Sequence, residues 1–164
     1  MASIAPQNKQ IVWRLPVCYD TNLETDLEEV SNALNLSIPQ IIALHTSTAY
    51  TIYAIGYLPG FMYSGAIPQA LAIPKKITPR VAVKKGAVGI ANAQTGVYPQ
   101  DGFGSWHILG NCAVPMFDVQ KETPCFLTTG DQIKFYEVSR AAYELQKIEA
   151  AVGIYVPNKT LVDA

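Results

Sequence analysis

The chain has 164 residues, a formal net charge of −1, and a composition that is 49% hydrophobic and 15% charged. A near-neutral chain has no overall field that would attract nucleic acid or an acidic membrane surface, so neither is expected as a partner. The low charged fraction suits one packed domain whose surface is partly covered by another subunit. No apolar run approaches the roughly 18 residues of a membrane span, and the first residues lack a signal-peptide pattern, so we expect a cytoplasmic protein.

The first part of the chain predicts a strand followed by two short helices. Residues 1–10 make a polar start that is expected to be disordered, and the alternation of apolar and polar residues over 11–17 predicts a strand with one buried face. Pro16 indicates an edge position for this strand, because proline has no N–H to donate. Helices are expected at about 25–34 and 38–46. Each begins with a capping-box pattern, formed by Thr25 with Glu28 and by Ser37 with Gln40.

The predicted helix pair superficially resembles a helix-turn-helix DNA-binding motif. A recognition helix needs lysine or arginine to contact phosphates and polar side chains to contact base edges. No lysine or arginine occurs from Asp20 to Tyr50, whereas five acidic residues do. Such a surface would repel DNA, which argues against a DNA-binding function.

The middle of the chain is predicted to be mostly β-structure. A strand is expected at 48–57, and a hairpin is expected in which the KKG turn joins 81–83 to 87–91. Turn signals recur about every ten residues after this point, a spacing typical of a barrel or a sandwich. The further strands are expected at 106–109, 113–117, 125–127 and 132–138.

The last part of the chain predicts a helix and a tail. Ser139 is a suitable N-cap for this helix. Leu145, Ile148 and Val152 share one apolar stripe along it. The tail beyond Pro157 is expected to be loose.

Two runs rich in glycine, proline and aromatic residues lie within the β region. They read GYLPGFMYSGAIP over 56–68 and VGIANAQTGVYPQDGFGSW over 88–106. Glycine permits unusual backbone angles and proline fixes φ, so the runs predict loops of defined shape that line a ligand pocket, or else tight turns that close a β-barrel. If they line a pocket, the expected substrate-binding residues are Phe61, Tyr63, Thr95, Gly96 and Tyr98.

Three residues are candidates for catalysis. Five basic residues within 75–85 form either an anion-binding patch or a solvated loop, and among them the Arg80 guanidinium suits a bidentate carboxylate or phosphate. His45 is a candidate for proton transfer, or it interacts with carbonyl groups at a helix end. Gln94 offers hydrogen bonds to a ligand, or it pairs with backbone in a turn.

Several common site patterns do not occur in the sequence. It contains neither a P-loop nor a GxGxxG run, so nucleotide binding by this chain alone is not favoured. Neither GxSxG nor clustered metal ligands occur, and the three cysteines lack metal spacing. Metal-assisted hydrolysis and an acyl-enzyme are therefore both disfavoured.

A set of collinear motifs makes the chain resemble a known family. The motifs are LPVCYD at 15–20, DLEEV at 26–30, IALHT at 42–46, GYLPGFMYSG at 56–65, ITPR at 77–80, GAVGIANAQTGVYP at 86–99, GSWHILG at 104–110 and TGDQIKF at 129–135. Over roughly residues 11–138 the chain is similar to the B subunit of bacterial 5-oxoprolinase, a carboxyltransferase subdomain C/D-like family. The same family is also called allophanate hydrolase subunit 1 or the Kip kinase inhibitor.

This resemblance implies a fold that is mainly β with α insertions. It implies a cyclophilin-like β-barrel over 11–140 that includes a helical insertion at 24–46, followed by a C-terminal helix and tail at 141–164. Family members usually carry a further α+β domain of about eighty residues before the strand that begins here at Ile11. This chain also has Asn111 where the family commonly has an arginine.

The resemblance further implies a component of an ATP-dependent 5-oxoprolinase that acts with the A and C subunits as partners. Such an enzyme opens 5-oxoproline to glutamate, with ATP bound at the level of the complex and shared with a partner, and this chain is expected to be inactive alone. Arg80 would then bind the anion, His45 would transfer the proton, and Gln94 would donate a hydrogen bond to the carbonyl group. The alternatives are a module that inhibits a sensor histidine kinase, or a component of an allophanate or urea-type amide hydrolase or carboxylase.

Overall fold

Residues 9–163, the part of the chain that the computed structural model describes, form ten strands and three α-helices. The strands are β1 (Lys9–Val17), β2 (Tyr50–Ile55), β3 (Met62–Gly65), β4 (Arg80–Val83), β5 (Ala87–Ala91), β6 (Gln94–Val97), β7 (Gly102–Gly104), β8 (His107–Asn111), β9 (Gln132–Glu137) and β10 (Asn158–Asp163). The helices are α1 (Leu27–Leu34), α2 (Ile38–His45) and α3 (Arg140–Ala151), with short 3-10 turns at Thr21–Leu23 and Gln69–Leu71.

Eight of these strands form one curled sheet in the order β10-β1-β9-β2-β3-β6-β5-β8. The pair β1 and β9 is parallel, and the other pairs are antiparallel. The sheet curls far enough for Cys18, just after β1, to pair with Asn111 at the end of β8 through two hydrogen bonds of 2.9 Å. Gly110 allows this approach, because a Cβ there would press on the Cys18 carbonyl oxygen. The predicted class, a mainly β cyclophilin-like barrel with helical insertions, is confirmed.

The core lies inside the curl of the sheet and beneath α1 and α2. Strand β9 buries alternate side chains, as a period of two requires. In β1, Trp13, Leu15 and Val17 are buried as predicted, but Val12 and Pro16 on the other face are buried too, so the prediction of a single buried face is wrong. The two helices cover the open side of the curl with their apolar faces. The side chains that fill this core with no exposed surface include Leu15, Val17, Leu27, Val30, Ile41, Tyr50, Ile52, Ile133 and Phe135.

Of the two capping boxes predicted at helix N-termini, one forms and the other does not. At α2 the capping box is complete, since the Ser37 N–H donates to Gln40 Oε1 at 2.8 Å and the Gln40 N–H donates to Ser37 Oγ at 3.2 Å. At α1 the predicted box of Thr25 and Glu28 does not form. Instead α1 begins after Asp26, whose side chain makes no capping bond because it is turned toward other elements.

Asp26 is a buried carboxylate that connects three segments. Its Oδ1 accepts hydrogen bonds from Lys76 Nζ at 3.0 Å and from Arg80 Nη2 at 2.5 Å, and its Oδ2 accepts one from the Ile108 N–H at 2.7 Å. Burial alone would raise the pKa of Asp26, but the hydrogen bonds from Arg80, the Ile108 backbone and Lys76 lower it overall. The start of α1 is thereby bound to β8, to the first residue of β4 and to Lys76 in the segment before it.

The predicted hairpin of 81–83 with 87–91 is wrong. Strand β4 pairs instead with β7 in a separate two-stranded sheet, with Arg80 opposite Gly104 and Val83 opposite Gly102. Both edges of β5 are already occupied, one by β6 and the other by β8. Strand β4 therefore has no free edge of β5 to join, and Val81 remains 91% exposed.

Two predicted strands, at 113–117 and 125–127, are irregular in the structure. Pro115 interrupts the first and Pro124 precedes the second, and a proline lacks the N–H that a ladder needs. Both segments nevertheless place apolar side chains in the core, including Val114, Met116 and Leu127. Their apolar character therefore reflects burial rather than strand pairing.

The two ends of the chain also differ from the prediction. The tail beyond Pro157 is strand β10, which pairs antiparallel with Lys9–Arg14 of β1. Strand β1 is therefore an interior strand, although its pairing with β10 stops before Pro16, where no N–H is available. Of the segment 1–10 that we expected to be disordered, residues 1–8 lie outside the described residues, and residues 9 and 10 are the first residues of β1.

Helix α3 packs on the barrel with a face other than the predicted stripe. Ser139 caps it as predicted, accepting a hydrogen bond from the Ala142 N–H at 3.1 Å. Leu145, Ile148 and Val152 face outward and are all more than half exposed, whereas Tyr143 is buried. None of the helices in residues 9–163 combines the length and apolar character that crossing a membrane requires.

Replacing Asp26 with asparagine is expected to destabilise the fold. Two cations and a backbone N–H would lose their charged acceptor, and the expected loss is about 3 kcal/mol of unfolding free energy, measured by urea denaturation. Glu29→Gln is the matched control, because Glu29 also pairs with Lys76 but its side chain is 56% exposed. That control should cost less than about 1 kcal/mol. Equal losses for the two variants would show that Asp26 does not hold these segments together.

Candidate functional site

The two glycine-rich and aromatic runs form neighbouring strands joined by tight turns. The first run contains β3, and the second contains β5, β6 and β7, so the prediction that they are loops is wrong for much of their length. Strands β3 and β6 pair antiparallel, with Ser64 opposite Thr95 and Gly65 opposite Gln94. The pairing places the two runs side by side on the curled sheet, as a shared site requires.

Alternation along β3 and β6 sends the predicted site residues to opposite faces of the sheet. Ser64 and Thr95 point into the core and have no exposed surface, whereas Tyr63 and Gln94 face outward. The outward face bears a cavity of about 360 Å³, called here the aromatic cavity. Its lining residues are Tyr57, Phe61, Tyr63, Lys75, Pro79, Gln94, Tyr98, Phe103, Gly104, Ser105 and Trp106.

Phe61 is the packing centre of the aromatic cavity. Its ring, only 2% exposed, lies 4.9 Å from the ring of Tyr63, 5.0 Å from that of Tyr98 and 5.5 Å from that of Trp106. The contacts with Tyr98 and Trp106 are edge-to-face, which is a favourable arrangement of aromatic quadrupoles. The four predicted residues Phe61, Tyr63, Gln94 and Tyr98 are thus brought together around one cavity.

The polar groups of the cavity are neutral apart from one lysine. Burial raises the pKa of Tyr98 to about 12 and also raises that of Tyr63, so both phenols keep their protons at neutral pH and act as hydrogen-bonding groups. Gln94 Nε2 donates to the Tyr53 hydroxyl, which holds the amide in place. Of the described residues that line the cavity, Lys75 alone carries a formal charge.

Neighbouring contacts fix the position of Lys75. The carbonyl oxygen of Pro74 accepts a hydrogen bond from His107 Nε2 at 2.9 Å, and the Lys76 N–H donates to the Ser105 carbonyl at 2.7 Å. Sequence reasoning placed Lys75 only within a group of five basic residues and preferred Arg80. The charge run itself could not show which cation faces the cavity, because that depends on these long-range contacts.

Gly96 lies under the cavity and does not line it. A Cβ at this position would lie 2.5 Å from the Met62 carbonyl oxygen and 3.3 Å from the Trp106 ring. Glycine is therefore required for β3 and β6 to pair closely and for Trp106 to pack against β6. Gly96 therefore affects the site indirectly, by leaving room for the ring of Trp106.

His45 and Thr95 form a buried hydrogen-bonded chain on the opposite face. Tyr19 Oη lies 2.6 Å from His45 Nδ1, and His45 Nε2 lies 2.9 Å from Thr95 Oγ1. Because the Thr95 hydroxyl donates to the Gly89 carbonyl at 3.0 Å, the imidazole proton resides on Nε2 and Nδ1 accepts the tyrosine proton. The His45 ring also stacks on Phe135 at 4.6 Å. Burial lowers the pKa of His45 to about 3, so the ring is neutral.

Arg80, the third candidate for catalysis, does not line the aromatic cavity. Its guanidinium binds the Asp26 carboxylate, whereas the adjacent Pro79 lines the cavity. The anion that Arg80 binds is therefore supplied by the protein itself. Within residues 9–163, no three His, Cys, Asp or Glu side chains are grouped as a metal site would require.

The curled, mainly β sheet with inserted helices is a fold that is also found in a distant solved structure. The crystal structure of the urea amidolyase of K. lactis contains the same fold, with a TM-score of 0.71 and 15% identity over 94% of this chain and 11% of that chain. The family model for the carboxyltransferase domain, subdomain C and D, matches residues 2–127. The chain belongs to this family, and the resemblance seen in its motifs is confirmed.

Two further relatives are more similar in sequence. The B subunit of 5-oxoprolinase from Bacillus subtilis (strain 168) is 38% identical over 143 residues, which make up 87% of this chain and 59% of the relative. The chain thus spans about three-fifths of the length of that curated relative. The crystal structure of the conserved uncharacterized protein PH0987 from Pyrococcus horikoshii matches with a TM-score of 0.76 and 33% identity, over 80% of this chain and 61% of that chain.

The variant Gly96→Ala tests the support beneath Trp106. The added methyl group meets the Met62 carbonyl oxygen, so we expect a loss of about 1–3 kcal/mol in unfolding free energy and a shift of the tryptophan emission. Gly102→Ala is the matched control, since no atom lies within 4 Å of a Cβ at that position. It should change stability by less than about 0.5 kcal/mol. If Gly96→Ala behaves like Gly102→Ala, close packing at Gly96 does not shape the cavity.

His45 is expected to make folding stability depend on pH. Its folded-state pKa of about 3 lies below the ordinary value of 6.5, so the unfolded chain binds a proton that the folded chain excludes. The stabilisation is complete above pH 6.5 and is lost as the pH falls toward 3, at about 1.4 kcal/mol per pH unit. Urea unfolding from pH 7 to 5 should show this slope in the parent and its loss in His45→Gln.

A direct titration of the parent protein tests the same prediction without depending on whether the His45→Gln variant folds. The ring resonances of His45 in the parent protein, followed by NMR, should stay those of a neutral imidazole from pH 7 to 5. A ring that protonates near pH 6.5 in the folded protein would contradict the assignment.

Proposed function

We propose that this chain provides the substrate-binding domain of the B subunit in an ATP-dependent 5-oxoprolinase. The proposal is supported by the similarity to the corresponding 5-oxoprolinase component of Bacillus subtilis. The observation that carries it is the aromatic cavity, in which one lysine and one amide face a group of aromatic rings. 5-Oxoproline is a small flat lactam ring with one carboxylate, and these groups complement it.

Each part of the substrate has a counterpart in the cavity. The lactam ring packs on Phe61, Tyr63 and Trp106. Trp106 makes edge-to-face contacts with the other two rings, and the contact between Phe61 and Tyr63 is tilted. The substrate carboxylate pairs with Lys75, whose charge lies at the cavity wall. The amide of Gln94 keeps its oxygen for the lactam N–H, because its Nε2 already donates to Tyr53.

The reaction converts 5-oxoproline, ATP and water to glutamate, ADP and phosphate. ATP supplies the activation of the poorly electrophilic lactam carbonyl, and we place it at the level of the complex, shared with a partner subunit. The residues of this chain bind the ring, orient its carbonyl group and limit the access of water. His45 and Arg80 act as positioning residues in this proposal, His45 through Thr95 on β6 and Arg80 through the segment that carries Lys75.

Exposed apolar side chains around the cavity mouth support the docking of partner subunits. Tyr57 and Phe103 line the cavity and are 67% and 65% exposed, and Ile77 and Val81 on the adjoining segment are 100% and 91% exposed. Exposed apolar residues that are grouped at one place are a feature of protein interaction sites. We propose the A and C subunits of the same complex as the partners, in the cytoplasm where ATP is available.

Reconstitution with purified A and C subunits tests this function. Phosphate release from ATP should require 5-oxoproline. Lys75→Gln should raise the KM for 5-oxoproline about 10- to 100-fold with a smaller change in kcat, because a charged hydrogen bond to the substrate is lost. Lys134→Gln, which alters an exposed lysine on β9 away from the cavity, is the matched control and should leave both constants unchanged.

Other outcomes of this experiment overturn the proposal in distinct ways. If phosphate release from the assembled complex does not depend on 5-oxoproline but depends on allophanate or urea, the amide-hydrolase or carboxylase alternative replaces it. If no such substrate is used and the chain blocks autophosphorylation of a purified sensor histidine kinase, the regulatory alternative replaces it. An unchanged KM for 5-oxoproline in Lys75→Gln would show that Lys75 does not bind the substrate carboxylate.

A further inference from the structure

A second and larger cavity lies on the other side of Tyr98 from the aromatic cavity. It has a volume of about 570 Å³ and runs between the turn at 84–86 and α3. The buried Tyr98 contributes to the linings of both cavities. We call this second cavity the lysine cleft, because Lys84, Lys85 and Lys147 lie along it.

The three lysines of the cleft carry charges that the protein does not neutralise by ion pairing. Ion pairs within residues 9–163 engage Lys76, Arg80 and Arg140, and none engages Lys84, Lys85 or Lys147. Two carboxylates also line the cleft. Asp101 accepts a hydrogen bond from the Lys85 N–H at 2.7 Å. Glu24, whose backbone has a positive φ of 57°, is exposed. The balance of formal charge along the cleft is therefore positive.

The turn that carries Lys84 and Lys85 is rigidly held. The Ala87 N–H donates to the Lys84 carbonyl at 3.0 Å, and Asn111 Nδ2 donates to the Lys85 carbonyl at 3.0 Å. Gly86 has a φ of +86° and lies against the Cys112 carbonyl, where no side chain fits. A turn fixed in this way presents its two ammonium groups with little loss of backbone entropy on binding.

The opposite wall of the cleft is built by α3. Tyr143 is buried there, and its hydroxyl donates to Asn111 Oδ1 at 2.9 Å. Lys147 Nζ lies 5.4 Å from the centre of the Tyr143 ring, which holds this third ammonium group over an aromatic face. The apolar side chains of Val114 and Met116 line the cleft between the two walls.

From these features we infer that the lysine cleft binds an organic phosphate, with the phosphate groups at the three lysines and an apolar or aromatic body on the floor. Lysine ammonium groups are suitable point charges for phosphate oxygens, and a volume of this size accommodates a ligand as large as a nucleotide. The family match ends at residue 127, so α3 and its lysine lie outside the matched region. This site is separate from the aromatic cavity and does not depend on the identity of the lactam substrate.

Isothermal titration calorimetry of the full chain with ADP, pyrophosphate and adenosine tests the inference. ADP should bind more tightly than pyrophosphate or adenosine, because only ADP fills both the cationic rim and the apolar floor. Its affinity should fall with rising salt. Lys84→Gln/Lys147→Gln should weaken ADP binding at least about tenfold, because two charged contacts are lost. The matched double variant Lys121→Gln/Lys134→Gln alters exposed lysines outside the cleft and should bind ADP normally.

The inference has outcomes that overturn it independently of the proposed function. It fails if the full chain does not bind ADP, or if both double variants weaken binding equally. Equal affinity for ADP and pyrophosphate would show that the cleft floor does not bind the apolar or aromatic part of the ligand. Lys75→Gln should leave ADP binding unchanged, and a loss of binding in that variant would move the phosphate site to the aromatic cavity.

Discussion

The buried carboxylate of Asp26 is the interaction on which the arrangement of the outer site depends. With its side chain only 4% exposed, it needs both cations and the Ile108 N–H to offset the loss of water. Lys76 directly follows Lys75 and Arg80 directly follows Pro79, so both cations adjoin residues that line the aromatic cavity. Since α1 and β8 converge on the same carboxylate, the helical insertion also contributes to the shape of a cavity that none of its own residues lines. The ion pairs of Asp26 thus contribute, together with the backbone contacts of Pro74 and Lys76, to the position of Lys75 at the cavity.

Local signals in the sequence predicted much of the fold, and long-range competition accounts for the rest. The strands β1, β2 and β9 and the caps at Ser37 and Ser139 were predicted from neighbouring residues, and all of them are found in the structure. Thr25 met the same local criterion at α1 but did not cap, because the tertiary partners of Asp26 set where the helix begins. The pairing of β4 with β7 depends on which edges the other strands have already taken, and this information is distributed over the whole sheet.

The candidate site shows the same division between local and distant information. Aromatic composition and glycine content identified Phe61, Tyr63, Gln94 and Tyr98, which the pairing of adjacent strands brings to one cavity. His45 and Arg80 have side chains suited to catalysis, but each reaches a partner about fifty positions away in the chain, Thr95 and Asp26 respectively. Residue type indicates what a side chain can do. Its partner in the fold decides whether that capacity remains available to a ligand or is used in the structure.

The alternation of side chains along β3 and β6 has a consequence for how such a domain changes over evolution. On each strand, one position faces the ligand cavity and the next faces the core. The two are adjacent in sequence but belong to separate packing environments. Substitutions at Tyr63 or Gln94 can therefore alter what the cavity accepts while Ser64 and Thr95 preserve the interior. Insertion of a single residue would exchange the two sets and damage both at once. Divergence of substrate within this fold is accordingly expected to proceed by replacement within strands of constant length.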